Sequence, residues 1–531
     1  MEPMQIYYGH HHAFIDEASH LRRAATCRST PTYSSSALLS STAMCPPPSS
    51  AMDALPQAAL ASAAGNGSGT PRVLVVPYPA QGHMLPLLDL AALLAARGLE
   101  VAVAVTAGNA PLLAPLLAAC PSVDTVTLPF PSTPLLPAGC GENTKDLPAH
   151  LFRPFMASLA ALRAPLLAWC EAQSRRVTAV VSDYFTGWTQ PLAAELGVPH
   201  VTFSPSCALH LAMSHSLWRH VPRRRRADDA DEPVAFPEIP GSPSWPWRRL
   251  SSLFRQYVAG DEVSEAIRQI FLWNLESTCF VVNSFAELEA PYVERPLPDL
   301  MAKRVFAVGP LSDAVVTAGD RGGKPAVPPA SVAAWLDAFA DGSVVYVCFG
   351  TQQALSPAQA ACVADALARS SAAFVWAARS GTAVPEGFEA ATASRGMVIR
   401  GWAPQVEILR HRAVGWFLTH CGWNSVLEAA AAGVAVLTWP MGADQFTDAW
   451  LLAEAGVAVP VAEGADTVPD AGRMADAIAA ATTGEKGKAV RERAVELGRK
   501  AAAALAGGGS SQRDLDGLVQ MLATAVQGHH P

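Results

Sequence analysis

The strongest constraint in this sequence is a recurring order: a short β-branched run, then a helical pattern, then another short run. Val73 to Val76 is continuously apolar, as expected of a strand covered on both faces. Leu85 to Arg97 carries apolar residues around much of a helix and stops at Gly98, a residue suited to the C′ position. Val101, Val103 and Val105 then open a second strand. Strand, helix, strand is the grammar of a parallel sheet with crossover helices. It continues through Val177 to Ser182, which delivers Asp183 at a strand's carboxyl end, and through Val201 to Phe203.

The alternation stops over Gly309 to Pro329, which is rich in Gly, Pro, Ala and Asp and has no apolar period. It then restarts with strands at Val344 to Phe349, Ala373 to Ala377, Met397 to Arg400, Val414 to Thr419 and Val434 to Trp439. Helices are expected between them at Pro357 to Arg369, Gln405 to His411 and Ser425 to Ala432. The expected fold is therefore α/β, with two tandem Rossmann-like parallel-sheet domains facing a cleft. Their bounds are residues 71–308 and 331–505, with a linker at 309–330 and a C-terminal helix and tail at 506–531. A chain of 531 residues has room for two cores.

Half the residues are hydrophobic and 16% are charged, which excludes a largely disordered chain. A net charge of −8 argues against a protein built to grip nucleic acid. No run reaches the 18 or so consecutive apolar residues of a membrane span. Ten cysteines are scattered without a C-x-x-C pair, which points to reduced thiols rather than a metal site. The expectation is a cytoplasmic monomer. Residues 1–70 are rich in Ser, Ala, Pro and Thr and are expected to form a disordered extension. Arg22, Arg23 and Arg28 among serines would suit a transit peptide, but Glu2, Asp16 and Glu17 do not. Arg223 to Arg226, followed by Asp228, Asp229, Asp231 and Glu232, reads as a solvated insertion with self-compensating charge.

In open parallel sheets ligands bind outside the carboxyl ends of the strands, so residues just past strand ends matter most. After Thr419 come His420, Cys421, Gly422, Trp423, Asn424 and Ser425, and then a helix. Free N–H groups at a helix start, with a glycine allowing close approach, suit a diphosphate. An ordinary alternative exists: Ser425 and Glu428 have the spacing of a capping box, and Asp444 could serve as an N-cap. His83 follows the first strand in Pro77-Tyr-Pro-Ala-Gln-Gly-His83 and is a candidate base. Asp183 is its candidate carboxylate partner, with Asp89 as competitor. A nicotinamide enzyme would need G-x-G-x-x-G after that first strand, and the sequence there does not supply it.

Trp402-Ala-Pro-Gln405, His420 to Ser425, Glu428 and Asp444-Gln445 fall within one span. Together they resemble the signature box of the plant UDP-dependent secondary-product glycosyltransferases, glycosyltransferase family 1. The stretches Leu128 to Pro137 and Val181 to Trp188 resemble the subgroup that contains flavonol glucosyltransferases. The resemblance implies a GT-B architecture and an inverting transfer of glucose from UDP-glucose to a small hydroxylated acceptor, a flavonoid or other phenol. It implies His83 as general base with Asp183 behind it. Trp402 would stack on uracil, with Ala403 and Gln405 reading base and ribose and Glu428 accepting from the ribose hydroxyls. Thr351, His420, Asn424 and Ser425 would hold the diphosphate, and Trp423, Asp444 and Gln445 the sugar. Glutamine at position 445 is what favours glucose. The family uses no cofactor or metal; UDP-glucose is its donor substrate. Asp229 and Asp231 match the D-x-D triplet of metal-dependent glycosyltransferases, but three residues in an acidic loop match too easily to count. A catalytically silent relative would have lost the base or its partner, and both are present.

Overall fold

The computed structural model of the chain describes residues 69–314, 323–351 and 354–524. The expected extension, except for its last two residues, part of the expected linker, and the tail beyond residue 524 lie outside them. Fifteen strands occur among the described residues. The first five are β1 (Arg72–Val76), β2 (Glu100–Thr106), β3 (Asp124–Leu128), β4 (Ala179–Asp183) and β5 (His200–Ser204). A small hairpin, β6 (Pro233–Ala235) and β7 (Ser244–Pro246), comes next, and then β8 (Cys279–Val282) and β9 (Val305–Ala307). The second half contributes β10 (Val344–Cys348), β11 (Ala373–Ala378), β12 (Gly396–Arg400), β13 (Val414–Thr419), β14 (Ala435–Thr438) and β15 (Ala458–Pro460).

They form a seven-stranded sheet in the order β3-β2-β1-β4-β5-β8-β9 and a six-stranded sheet in the order β12-β11-β10-β13-β14-β15. Every pairing within these two sheets is parallel. The two α/β domains therefore stand as expected. Both have the same topological reversal, between β1 and β4 in the first and between β10 and β13 in the second. A crevice opens at such a point because successive crossovers leave in opposite directions. His83 and Asp183 follow or end the first pair; Thr351 and His420 follow the second.

The strands missed by pattern are short or at sheet edges. β3 shows Asp124, Thr125 and Thr127 to solvent, and so lacks the continuous apolar run of its central neighbours. The first helix, Gln81–Ala96, starts a turn before its apolar pattern, which places Gly82 and His83 in its first turn and Pro86 inside it. It ends as the sequence suggests: Gly98 has φ +84, and the Gly98 and Leu99 N–H groups donate to Ala95 and Leu94 carbonyls. The expected linker contains the short helix Leu311–Ala314, with Leu311 packed in the first domain's core. The last helix, Ser510–Thr524, returns to that domain and buries Leu515, Leu518 and Leu522 against its core. The Asp514 carboxylate there accepts from the Ala307 N–H and pairs with Arg304.

Within the arginine and aspartate insertion Asp229 pairs with Arg226, while Asp231 pairs with Arg248 beyond it. Among the described residues one helical run, Ala149–Glu171, is long and apolar enough to cross a membrane by length and composition alone. It is a succession of short α and 3-10 pieces whose Phe155, Met156, Leu159 and Leu166 fill the first domain's core.

Candidate active site

At the first reversal, β1 and β4 run side by side with Val76 opposite Ser182, so the residues just past them share one crevice. Asp183 is fully buried, and both its oxygens lie within reach of His83 Nδ1, at 3.0 and 3.1 Å. The backbone N–H of Phe185 also donates to Asp183 Oδ1 at 2.8 Å, which fixes the carboxylate as the cap of the next turn. The His83 side chain keeps 20% of its exposure. With Nδ1 engaged by Asp183, Nε2 is the nitrogen left for chemistry. Asp183 is thus a carboxylate against this imidazole.

Aromatic rings surround the pair. Phe185 lies 4.7 Å from the His83 ring centroid, Tyr78 5.2 Å and Tyr184 5.8 Å. Phe152 and Phe185, edge-to-face neighbours at 6.4 Å, are only half-buried and give the crevice an apolar wall. The Tyr78 hydroxyl is fully buried without a hydrogen-bond partner among the described residues, and burial together with the nearby Asp183 charge holds its pKa well above the ordinary value. It stays a neutral phenol beside the carboxylate.

At the second reversal, β13 leads through His420 into the helix Trp423–Ala432. The N-cap is Gly422 and no side chain caps it, so the capping box that Ser425 and Glu428 could have formed is not made. Those first N–H groups keep their capacity for an anion. Ser425 and Glu428 instead accept from the Gln405 side-chain amide at 3.1 and 2.8 Å, while Tyr346 donates to the Gln405 oxygen at 3.3 Å. Gln405 therefore holds Glu428 in place from behind, with both amide hydrogens already spent. A donor contact from Gln405 to base or ribose requires one of these N–H bonds to break, whereas its oxygen has a second lone pair with which to accept.

His420 lies between two glycines. A Cβ on Gly350 would come within 2.6 Å of its ring and one on Gly422 within 2.7 Å, and Gly350 also has φ +71. Burial lowers the His420 pKa to about 4, only partly opposed by Asp444, so the ring is neutral near pH 7. It offers one N–H donor without carrying a charge. Thr351 is half-buried just after β10, beside this histidine's strand.

Trp402 packs against Gly323, where a Cβ would approach the indole to 2.8 Å, and its carbonyl accepts from Ala326. Ala403 is buried, and its carbonyl accepts from the Gln405 N–H. Gln445 accepts from the Met441 and Gly442 N–H groups through its oxygen, leaving its NH2 end as the donor for a ligand.

Three expected donor-site side chains reach across to the first domain. The Trp423 indole is buried and donates to the Asn283 carbonyl at 2.7 Å, so it braces the wall between the domains and only its backbone remains for a sugar. Asp444 occupies the N-cap position of Gln445–Glu454 but makes no capping bond; its Oδ2 accepts from Ser206 at 2.6 Å. Asn424 donates to the Gly82 carbonyl at 2.9 Å. The sequence pattern does not single out Ser206, Asn283, Gly350 or Tyr346. The first three lie just past strands β5, β8 and β10, so a search of the positions beyond every strand end would have found them.

The molecule's likenesses agree with this geometry. Residues 71–313 match the family described as "Glycosyltransferase, N-terminal domain", and residues 303–481 match "UDP-glucoronosyl and UDP-glucosyl transferase". The UDP-glycosyltransferase 89B2 of Stevia rebaudiana is 46% identical over 85% of this chain and 97% of its own length. The flavonol 3-O-glucosyltransferase UGT89B1 of Arabidopsis thaliana is 45% identical over 84% of this chain and 95% of its own length. The crystal structure of Arabidopsis thaliana UGT89C1 complexed with UDP-L-rhamnose superposes with a TM-score of 0.70 at 34% identity, covering 86% of this chain and all of that one. Two sheets with matching reversals, an imidazole–carboxylate pair in one, an uncapped helix start in the other and relatives of this identity place the chain in the plant family 1 UDP-glycosyltransferases.

Proposed function

We propose that this UDP-glycosyltransferase moves glucose from UDP-glucose to a hydroxyl of a flavonoid or related phenol, with inversion at the anomeric carbon. The observation that carries the reading is His83 Nδ1 held by buried Asp183 beside the half-buried rings of Phe152 and Phe185. A phenol laid on those rings would bring its hydroxyl to His83 Nε2. The proton passes to Nε2 as the oxygen bonds to the anomeric carbon, and the bond from that carbon to the β-phosphate oxygen breaks with its electron pair on UDP. Asp183 stabilises the imidazolium that forms and fixes its tautomer.

Charge on the leaving diphosphate is met by the uncapped N–H groups of Trp423–Ala432 and by neutral His420, with no metal or cofactor taking part. Asp444 Oδ1 and the Gln445 amide offer an acceptor and a donor to the sugar hydroxyls. The 45% identity to a flavonol 3-O-glucosyltransferase, against 35% to a flavonol 7-O-rhamnosyltransferase of the same plant, also leans toward glucose. The test is to incubate purified protein with a panel of UDP-sugars and phenols, with and without a chelator, and to read conjugates by mass and anomeric configuration by NMR. A β-glucoside formed equally well in chelator is expected. Preference for UDP-L-rhamnose would remove glucose, an α-product would remove inversion, and loss of rate in chelator would remove the metal-free mechanism.

A further inference from the structure

The helix that carries His83 contains a proline. In Gln81–Ala96 the Gly82 carbonyl points toward the backbone nitrogen of residue 86, and residue 86 is Pro. Proline has no N–H to give, and its ring crowds the carbonyl four residues back. Gly82 is thus left without its i+4 donor, one residue before His83. The gap is filled from the other domain: Asn424 Nδ2 donates to Gly82 O at 2.9 Å. Asn424 sits in the first turn of Trp423–Ala432, beside the N–H groups expected to hold the diphosphate.

We propose that Asn424 is a positioning residue for His83, because it completes the hydrogen bonding that Pro86 removes from the base-bearing helix. The bond makes one side chain answer to both half-sites. The uncapped helix start that meets UDP and the turn that aims the imidazole are joined through a single amide. This rests on the reading of His83 as the base, and it goes beyond the diphosphate role that the signature box implies for Asn424. A residue that only binds diphosphate would have no reason to depend on the identity of residue 86.

Dependence on Pro86 is therefore the test. Pro86→Ala restores an N–H that can serve Gly82 O within the helix. Wild type, Asn424→Ala, Pro86→Ala and the double variant would be compared for kcat with the UDP-sugar and phenol that the panel above selects. UDP dissociation constants would be measured by calorimetry and folding checked by thermal unfolding. Asn424→Ala is expected to lower kcat about tenfold in the wild-type background and no more than about twofold in the Pro86→Ala background, while its effect on UDP affinity is the same in both. An equal fold loss of kcat in both backgrounds overturns the proposal and leaves Asn424 as a diphosphate ligand alone. His83→Ala in the same assay separates this from the underlying reading: wild-type turnover there would remove the base itself, whatever the cycle shows.

Discussion

The two sheet reversals have the same topology and hold their histidines in opposite ways. At the first, His83 is gripped through Nδ1 by a buried carboxylate and keeps a fifth of its surface. At the second, His420 has the Thr419 hydroxyl near Nδ1, at 3.3 Å, and two glycines against its ring. A carboxylate partner favours an imidazole that can take up a proton. Burial, only partly opposed by the Asp444 charge, drives the His420 pKa down to about 4 and leaves a donor that stays neutral. The two reversals thus hold one histidine against a carboxylate and the other buried between glycines.

The comparison can be broken most severely at the first reversal. If the group acts on the acceptor proton as proposed, His83→Ala should lower kcat by about 10²–10⁴-fold with little change in UDP affinity. Asp183→Asn should lose a similar order, because the tautomer is no longer fixed. Steady-state rates together with UDP calorimetry check both, and equal losses in kcat and UDP affinity would mean the pair serves the donor.

At the second reversal, Gly350→Ala should weaken UDP binding by more than about tenfold. The new Cβ meets the His420 ring at 2.6 Å, and the φ of +71 costs an alanine about 1 kcal/mol or more. Calorimetry reads the affinity and thermal unfolding reads the strain; wild-type affinity would show that the ring can give way freely. A smaller effect is expected at Ser206. Losing its bond to Asp444 should raise KM for the UDP-sugar by a few-fold in Ser206→Ala while sparing affinity for UDP alone, which lacks the sugar.

The least local prediction concerns pH. Burial lowers His200 to about 3 and His215 to about 4 in the first domain, as it does His420 in the second. Between pH 6.5 and about 4 the unfolded chain binds protons that these rings refuse in the folded one. Stability is therefore full above pH 6.5 and falls as pH drops, by at most about 1.4 kcal/mol per pH unit for each ring. Chemical denaturation at stepped pH checks the slope, and a flat profile from pH 7 to 5 would mean the rings protonate in place.

Much of the site can be read without coordinates because its members lie where apolar runs end. Asp183 and Thr419 are the last residues of β4 and β13, and pattern alone puts both at strand ends. Pattern does not tell which ordinary role each residue declines. Ser425 and Glu428 have capping-box spacing, yet the helix starts at Trp423 and their side chains turn to Gln405. Asp444 stands at an N-cap position and spends an oxygen on Ser206 instead.

Sequence by itself determined the two parallel sheets, the family and the positions of His83, Asp183 and the donor box. The sheets come from local period, the strand-end positions from where apolar runs stop, and the family from the resemblance of the whole box to a known signature. Only the tertiary structure decided that Asn424 meets Gly82, that Asp444 meets Ser206 and that Trp423 braces Asn283. Each of those bonds joins residues more than a hundred positions apart, and none leaves a period or a spacing in the chain. They exist because two separately patterned sheets are brought face to face, and buried or half-buried polar groups must then find partners in the opposite domain.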